Sequence, residues 1–166
     1  AMAALAEEGI VRPIQGIGTR IERRDRLRFP ISKRTRFSQG LGNQARDIEN
    51  KMLEAATEVA PSIVAEALGL PIGTLCVRME TVNSADKRPI SCATHYFPAD
   101  RFGKIGGIFE QTRSVTAAFQ ALGVSDYVRR STEISAIHAE GDDIRHLKLS
   151  PGAIILVATA VNTDLA

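Results

Sequence analysis

Ten residues, Lys33-Arg34-Thr35-Arg36-Phe37-Ser38-Gln39-Gly40-Leu41-Gly42, hold most of what this chain offers a small anion. Three cations and two hydroxyls lie together, and a helix is expected to start at Ser38. Exposed backbone N–H groups at a helix start, a hydroxyl and a guanidinium fork are what phosphate, phosphonate or sulfate requires. A plain cap at Ser38 beside solvated arginines is the competing reading, and on these residues alone it is the simpler one.

Bond-making chemistry needs a nucleophile with its base, paired carboxylates, or metal ligands at usable spacing. The sequence shows none of these. His95, His138 and His146 are scattered, and Gly106-Gly107 reads as a loop without the Lys-Ser/Thr that a phosphate loop requires. Cys76 and Cys92 sit in apolar segments without C-x-x-C spacing, so both read as buried thiols in a reducing compartment. No catalytic residue, metal or cofactor is expected.

The first twenty-one residues suggest a different partner. A helix-like run, Ala3 to Glu8, passes through Gly9 into Ile10-Val11, then a tight-turn signal, Gln15-Gly16-Ile17-Gly18, then Thr19-Arg20-Ile21. A helix followed by a basic hairpin is what a winged helix presents to DNA. Gly16 and Gly18 would let the backbone approach a groove, with Arg12, Gln15 and Thr19 reaching phosphates or base edges. The net charge of +2 argues nothing by itself. Its distribution does, because Arg12, Arg20, Arg23, Arg24, Arg26, Arg28, Lys33, Arg34 and Arg36 crowd the first quarter. A solvated basic linker would show the same run.

Positioning these groups requires a core, and 166 residues suffice for one. Residues 22–32 are charged, lack periodicity and read as a linker. Beyond them Leu68, Leu70, Gly73, Val82 and Asn83 recur 79 residues later as Leu147, Leu149, Gly152, Val161 and Asn162. Each copy reads strand, helix, strand: 49–59, 62–68 and 74–83, then 127–138, 141–147 and 153–161. The turn Asp86-Lys87-Arg88-Pro89 leads to a return strand over 90–97, and a helix is expected over 112–122. Alternation puts Thr81 with Asn83, and Ala93 with His95, on one strand face each, while Arg129 begins a later strand. The result is an α+β fold, a mainly antiparallel sheet with helices on one side. The last residues fall inside a hairpin turn, so a further strand is expected to follow. No apolar run approaches the roughly twenty residues of a membrane span, and a cytoplasmic location is expected.

Leu5, Glu8, Gly9, Val11, Arg12, Gln15, Gly16, Gly18 and Thr19 resemble the end of the winged helix-turn-helix in GntR-type bacterial regulators. Thr35-Arg36-Phe37-Ser38 with Leu41, then Leu68-Gly69-Leu70-Pro71 with Gly73, Arg78 with Glu80, Arg88-Pro89-Ile90 and Tyr96-Phe97-Pro98, resemble the UTRA effector domain of the HutC subfamily. The resemblance implies three parts: a winged-helix fragment over 1–21, the linker over 22–32, and a chorismate-lyase-like UTRA domain over 33–166, truncated at its end. It also implies a non-catalytic regulator that binds a palindromic operator as a homodimer and senses a small, often phosphorylated metabolite. The pocket it implies comprises Thr35, Arg36, Phe37 and Ser38, to which alternation adds Thr81, Asn83, His95 and Arg129. Sugar-phosphate sensors of this family tend to carry arginine near 81 and 83 and an acid near 93. Thr81, Asn83 and Ala93 stand there instead, and the match is closer to the phosphonate-utilisation repressor type. A chorismate-lyase-like enzyme and a dimerisation module with a vestigial pocket are the rival readings.

Overall fold

The computed structural model describes residues 2–7, 10–21 and 44–165. Gly9, the linker 22–32 and the loop Thr35, Arg36, Phe37 and Ser38, with its expected helix start, lie outside the described residues. Helix α1 (Met2–Glu7) precedes a hairpin of β1 (Val11–Ile14) and β2 (Gly18–Ile21). The Ile10 N–H donates to the Leu5 carbonyl at 2.8 Å and ties the hairpin to the helix. Gly16 and Gly18 take φ of 79° and 109°, which a side chain would resist.

The central unit is a three-stranded antiparallel sheet, ordered β3-β4-β5, of β3 (Ile48–Val59), β4 (Leu75–Ala85) and β5 (Arg88–Pro98). Helix α2 (Ser62–Leu68) connects β3 to β4. The β4–β5 turn is tighter than the four residues expected. It needs only Asp86 and Lys87, both at positive φ as a two-residue hairpin demands. Asp86 Oδ1 accepts the Arg46 and Asp47 N–H groups, each at 2.9 Å, which stabilises that conformation.

Three short helices follow where one was expected: α3 (Ala99–Phe102), α4 (Ile105–Thr112) and α5 (Val115–Ala121). Gly106-Gly107 is therefore helical and not a loop. A Cβ on Gly106 would stand 3.1 Å from Ala55 Cβ, so the glycine lets α4 approach β3. Arg113, left-handed at φ 53°, ends α4 by donating its N–H to the Phe109 carbonyl at 2.7 Å. Ser114 then starts α5, its Oγ accepting the Ala117 N–H at 3.2 Å. Ser114→Ala is expected to cost about 1 kcal/mol in urea denaturation; a change below about 0.3 kcal/mol would mean that the cap contributes nothing.

Alternation along β4 gives each sheet face its own cover. Val77, Met79 and Phe97 pack beneath Phe102, Ile105, Phe109, Ala118 and Phe119 of the three helices. On the opposite face Cys76 packs with Ala60, Ala65 of α2 and Tyr96. Cys76 is fully buried, but Cys92 is only half-buried, its Sγ 3.6 Å from Asp143 Oδ1. Burial pushes both thiols up, helped at Cys92 by the Asp143 carboxylate.

The repeat is visible at the level of individual hydrogen bonds. Strand β6 (Tyr127–His138), helix α6 (Gly141–Leu147) and strand β7 (Ile154–Asp164) restate β3-α2-β4. Strand β7 continues to Asp164, so the residues expected to turn after Asn162 are extended and paired instead. The pairs from Glu54↔Glu80 to Val59↔Leu75 recur as Glu133↔Thr159 to His138↔Ile154. Leu70 N–H to Ala65 O at 2.8 Å recurs as Leu149 N–H to Ile144 O at 3.0 Å. The copies differ in cover, since Val77 is 4% exposed and its counterpart Leu156 is 77% exposed. Among the described residues β4 is paired along both edges and β7 along one.

Candidate functional site

One end of the helix-covered sheet face is polar. Pairing places Asn50 opposite Asn83 and Asn83 opposite Ser91; the next rungs are Met52–Thr81–Ala93 and Ala55–Met79–His95. Antiparallel partners point to the same side, so these groups share one surface. Thr81 is 2% exposed, and its Oγ1 lies 3.1 Å from His95 Nε2. His95 stacks on Phe97 with centroids 5.9 Å apart. Burial lowers its pKa to about 4, so the ring is neutral at pH 7.

The first rung is held by side-chain amides. Asn83 Nδ2 donates to Ser91 Oγ at 3.0 Å, and Asn50 Nδ2 donates to the Arg113 carbonyl at 3.0 Å. Asn50 Oδ1 is buried and has no partner among the described residues. An orphaned acceptor of this kind costs about 1–3 kcal/mol.

These rungs carry neutral donors and acceptors, so an anion's countercharge would have to come from a side chain outside them. Arg78 is not available for it. It lies on the opposite face, where it bonds Glu54 at 2.6 Å, Glu58 at 3.1 Å, and Glu80. Hydrogen bonds to Glu54 and Glu58 raise its pKa. The Arg78-x-Glu80 spacing is thus a clamp across strands. Arg129 lies on β6 opposite Asn162 and shares a strand face with Tyr127, whose hydroxyl is 3.1 Å from Thr116 Oγ1 of α5. Among the described residues it makes no hydrogen bond to Thr81, Asn83 or His95.

The structure thus brings Thr81, Asn83 and His95 together, while Arg129 stands at the equivalent of the Asn50 position in the second copy. It adds Asn50 and Ser91, which the sequence reading missed. An open depression of about 460 Å³ lies between β3 and α4 and shares Met52 and Ala55 with these rungs. Glu54 and Glu110 line it and no cation does, so it does not suit an anion. Among the described residues no group of three or more His, Cys, Asp or Glu side chains forms a metal site, and no helix is long and apolar enough to cross a membrane. In the hairpin, Gln15, Gly16, Gly18 and Thr19 are exposed at the turn, and Arg12 pairs with Arg20 across the strands.

The family model described as the UTRA domain matches residues 43–166. The chain belongs to the UTRA family. Over 165 residues the UTRA chain is 54% identical to an HTH-type transcriptional regulator of Rhizobium meliloti, covering 99% of this chain and 68% of that protein. It is 26% identical over 170 residues to PhnF of Escherichia coli, described as a transcriptional regulator, covering 98% of this chain and 66% of that one. The chain thus spans about two thirds of the length of these relatives. Its fold is similar to the crystal structure of PhnF from Mycobacterium smegmatis, with a TM-score of 0.75 at 17% identity over 99% of this chain and 71% of that one. The UTRA chain is a transcriptional regulator of the GntR/UTRA type and not an enzyme, which removes the chorismate-lyase-like activity considered from sequence.

Proposed function

We propose that this regulator senses a small anionic metabolite, a phosphonate, phosphate ester or sulfate-like ion, through the polar sheet face, and that the ligand alters operator binding. The observation that carries this reading is the Thr81–His95 pair beside Asn83 and Ser91, a neutral hydrogen-bonding surface at the edge of an otherwise apolar core. On this reading Arg36 and Arg129 supply the charge, and Thr35, Phe37 and Ser38 complete the anion loop. His95, being neutral, adds a hydrogen bond and no charge. The assignment to the HutC subfamily and to phosphonates rests on Arg34-Thr35-Arg36-Phe37-Ser38 and Thr94-His95-Tyr96-Phe97-Pro98.

In this proposal the intact protein is a cytoplasmic homodimer on a two-fold symmetric operator. Gly16 and Gly18 bring the hairpin turn to the groove, and Arg12, Gln15 and Thr19 contact phosphates or base edges. Ligand binding favours one arrangement of the linker 22–32 and so resets the spacing between two hairpins. Calorimetry on the full-length protein with inorganic phosphate, sulfate and ethylphosphonate tests the sensor. At least one should bind, and Arg36→Ala and Arg129→Ala should each weaken it about tenfold or more, as expected for charge-assisted hydrogen bonds. Absence of binding by all three would instead favour a dimerisation module with a vestigial pocket.

A further inference from the structure

We propose that Asn50 is a specificity-determining residue of the polar face, and that the ligand carries a hydrogen-bond donor, an ammonium or a hydroxyl, that meets Asn50 Oδ1. The inference rests on the anion-sensing reading above and narrows it. Asn50 stands opposite Asn83, which stands opposite Ser91, so its amide completes the rung that the other two begin. The orientation of that amide is fixed: Nδ2 donates to the Arg113 carbonyl at 3.0 Å, which leaves Oδ1 as the group not used by the fold. Oδ1 is out of solvent and has no partner among the described residues, so they leave it unsatisfied.

The chemistry of that atom limits what can meet it. A carbonyl oxygen accepts and cannot donate, so it repels phosphoryl, sulfonyl and carboxylate oxygens and attracts N–H or O–H. It is therefore not part of the anion subsite and marks the opposite end of the ligand. A site with a buried acceptor discriminates strongly against an analogue that lacks the matching donor, because the analogue leaves the acceptor unpaired. The neutral His95 and Thr81 lie on neighbouring rungs and impose no competing charge on an ammonium. Arg113, held at φ 53° with its carbonyl on Asn50 Nδ2, keeps the amide from rotating to offer its donor instead.

The test uses the full-length protein and three probes on one two-carbon skeleton: ethylphosphonate, 2-hydroxyethylphosphonate and 2-aminoethylphosphonate. At least one donor-bearing probe should bind about tenfold or more tighter than ethylphosphonate, and the stronger of the two identifies the donor. Asn50→Leu should bring that ratio close to one. Asn50→Asp keeps size and replaces the neutral acceptor by a carboxylate, so it should raise the preference for the aminoethyl over the hydroxyethyl probe about tenfold or more above the wild-type ratio, and the comparison survives if the leucine variant does not fold. A residue that only held Arg113 would lower the melting temperature in both variants and leave the affinity ratio as in the wild type, which overturns the proposal. Equal binding of all three probes by the wild type overturns it too but leaves the anion sensor standing; failure of all three to bind overturns it, and failure of inorganic phosphate and sulfate as well overturns the anion sensor.

Discussion

Phe109→Ala is expected to destabilise the protein by about 3–5 kcal/mol in chemical denaturation, the range for emptying a large aromatic site in a close-packed core. Phe109 is 1% exposed and sits in the cluster that joins α4 to Val77 and Met79 of β4. Its neighbours form a linked set of rings: Phe97 lies 5.6 Å from Phe119, Phe102 5.4 Å from Phe119, and Phe119 5.0 Å from Tyr127. A cavity there loosens the helices that carry Arg113 and cover the polar rungs. Domains of this kind have only about 5–15 kcal/mol in total, so the variant should be close to unfolding at ambient temperature. Leu156→Ala is the control: at 77% exposed it should change stability by less than about 0.5 kcal/mol. Equal effects of the two substitutions would mean that the cluster around Phe109 does not hold the fold.

The second large effect is a loss of stability in mild acid traceable to His95. Its pKa is lowered to about 4 by burial, whereas an unfolded histidine titrates near 6.5. Between those values the unfolded chain binds the proton and the native protein does not, so acid favours unfolding. The contribution is fully present above about pH 6.5 and falls away towards pH 4. A tenfold difference in proton affinity is worth about 1.4 kcal/mol, so the loss across that window is about 3 kcal/mol. His95→Gln keeps a partner for Thr81 Oγ1 and does not titrate. Denaturation midpoints measured from pH 4 to 7.5 should therefore fall less steeply for the variant. Parallel curves would show that the imidazole is not desolvated in the native state.

The strands were legible because each alternates and each is closed by a strong turn: Gly73 at φ 87° and its counterpart Gly152 at 82° mark both repeats. Thr81, Asn83 and His95 were found by the same alternation, and the pairing of β4 with β5 brings them together. Asn50 was hidden by a register shift between Met52 and Glu54. Uninterrupted alternation would put Asn50 on the face of Glu54, Ala56 and Glu58; the bulge at Leu53 moves it to the face of Ala55 and Thr57. Helix α4 was missed because two consecutive glycines look like a loop until the close approach to Ala55 is known. Arg78 looked like a family signature, and only three-dimensional pairing shows its three carboxylate partners. In each case the missing information is non-local, a contact between segments far apart in the chain.

The matching registers of the two hairpins reach further than stability. Asn50 opposite Asn83 in the first copy is Arg129 opposite Asn162 in the second, the same place in a duplicated unit. Divergence at that single position leaves a neutral acceptor in one half and a cation in the other. The duplicated frame thus has a polarity: its two equivalent places differ in charge, and a molecule seated between them, as proposed, would have a distinct head and tail.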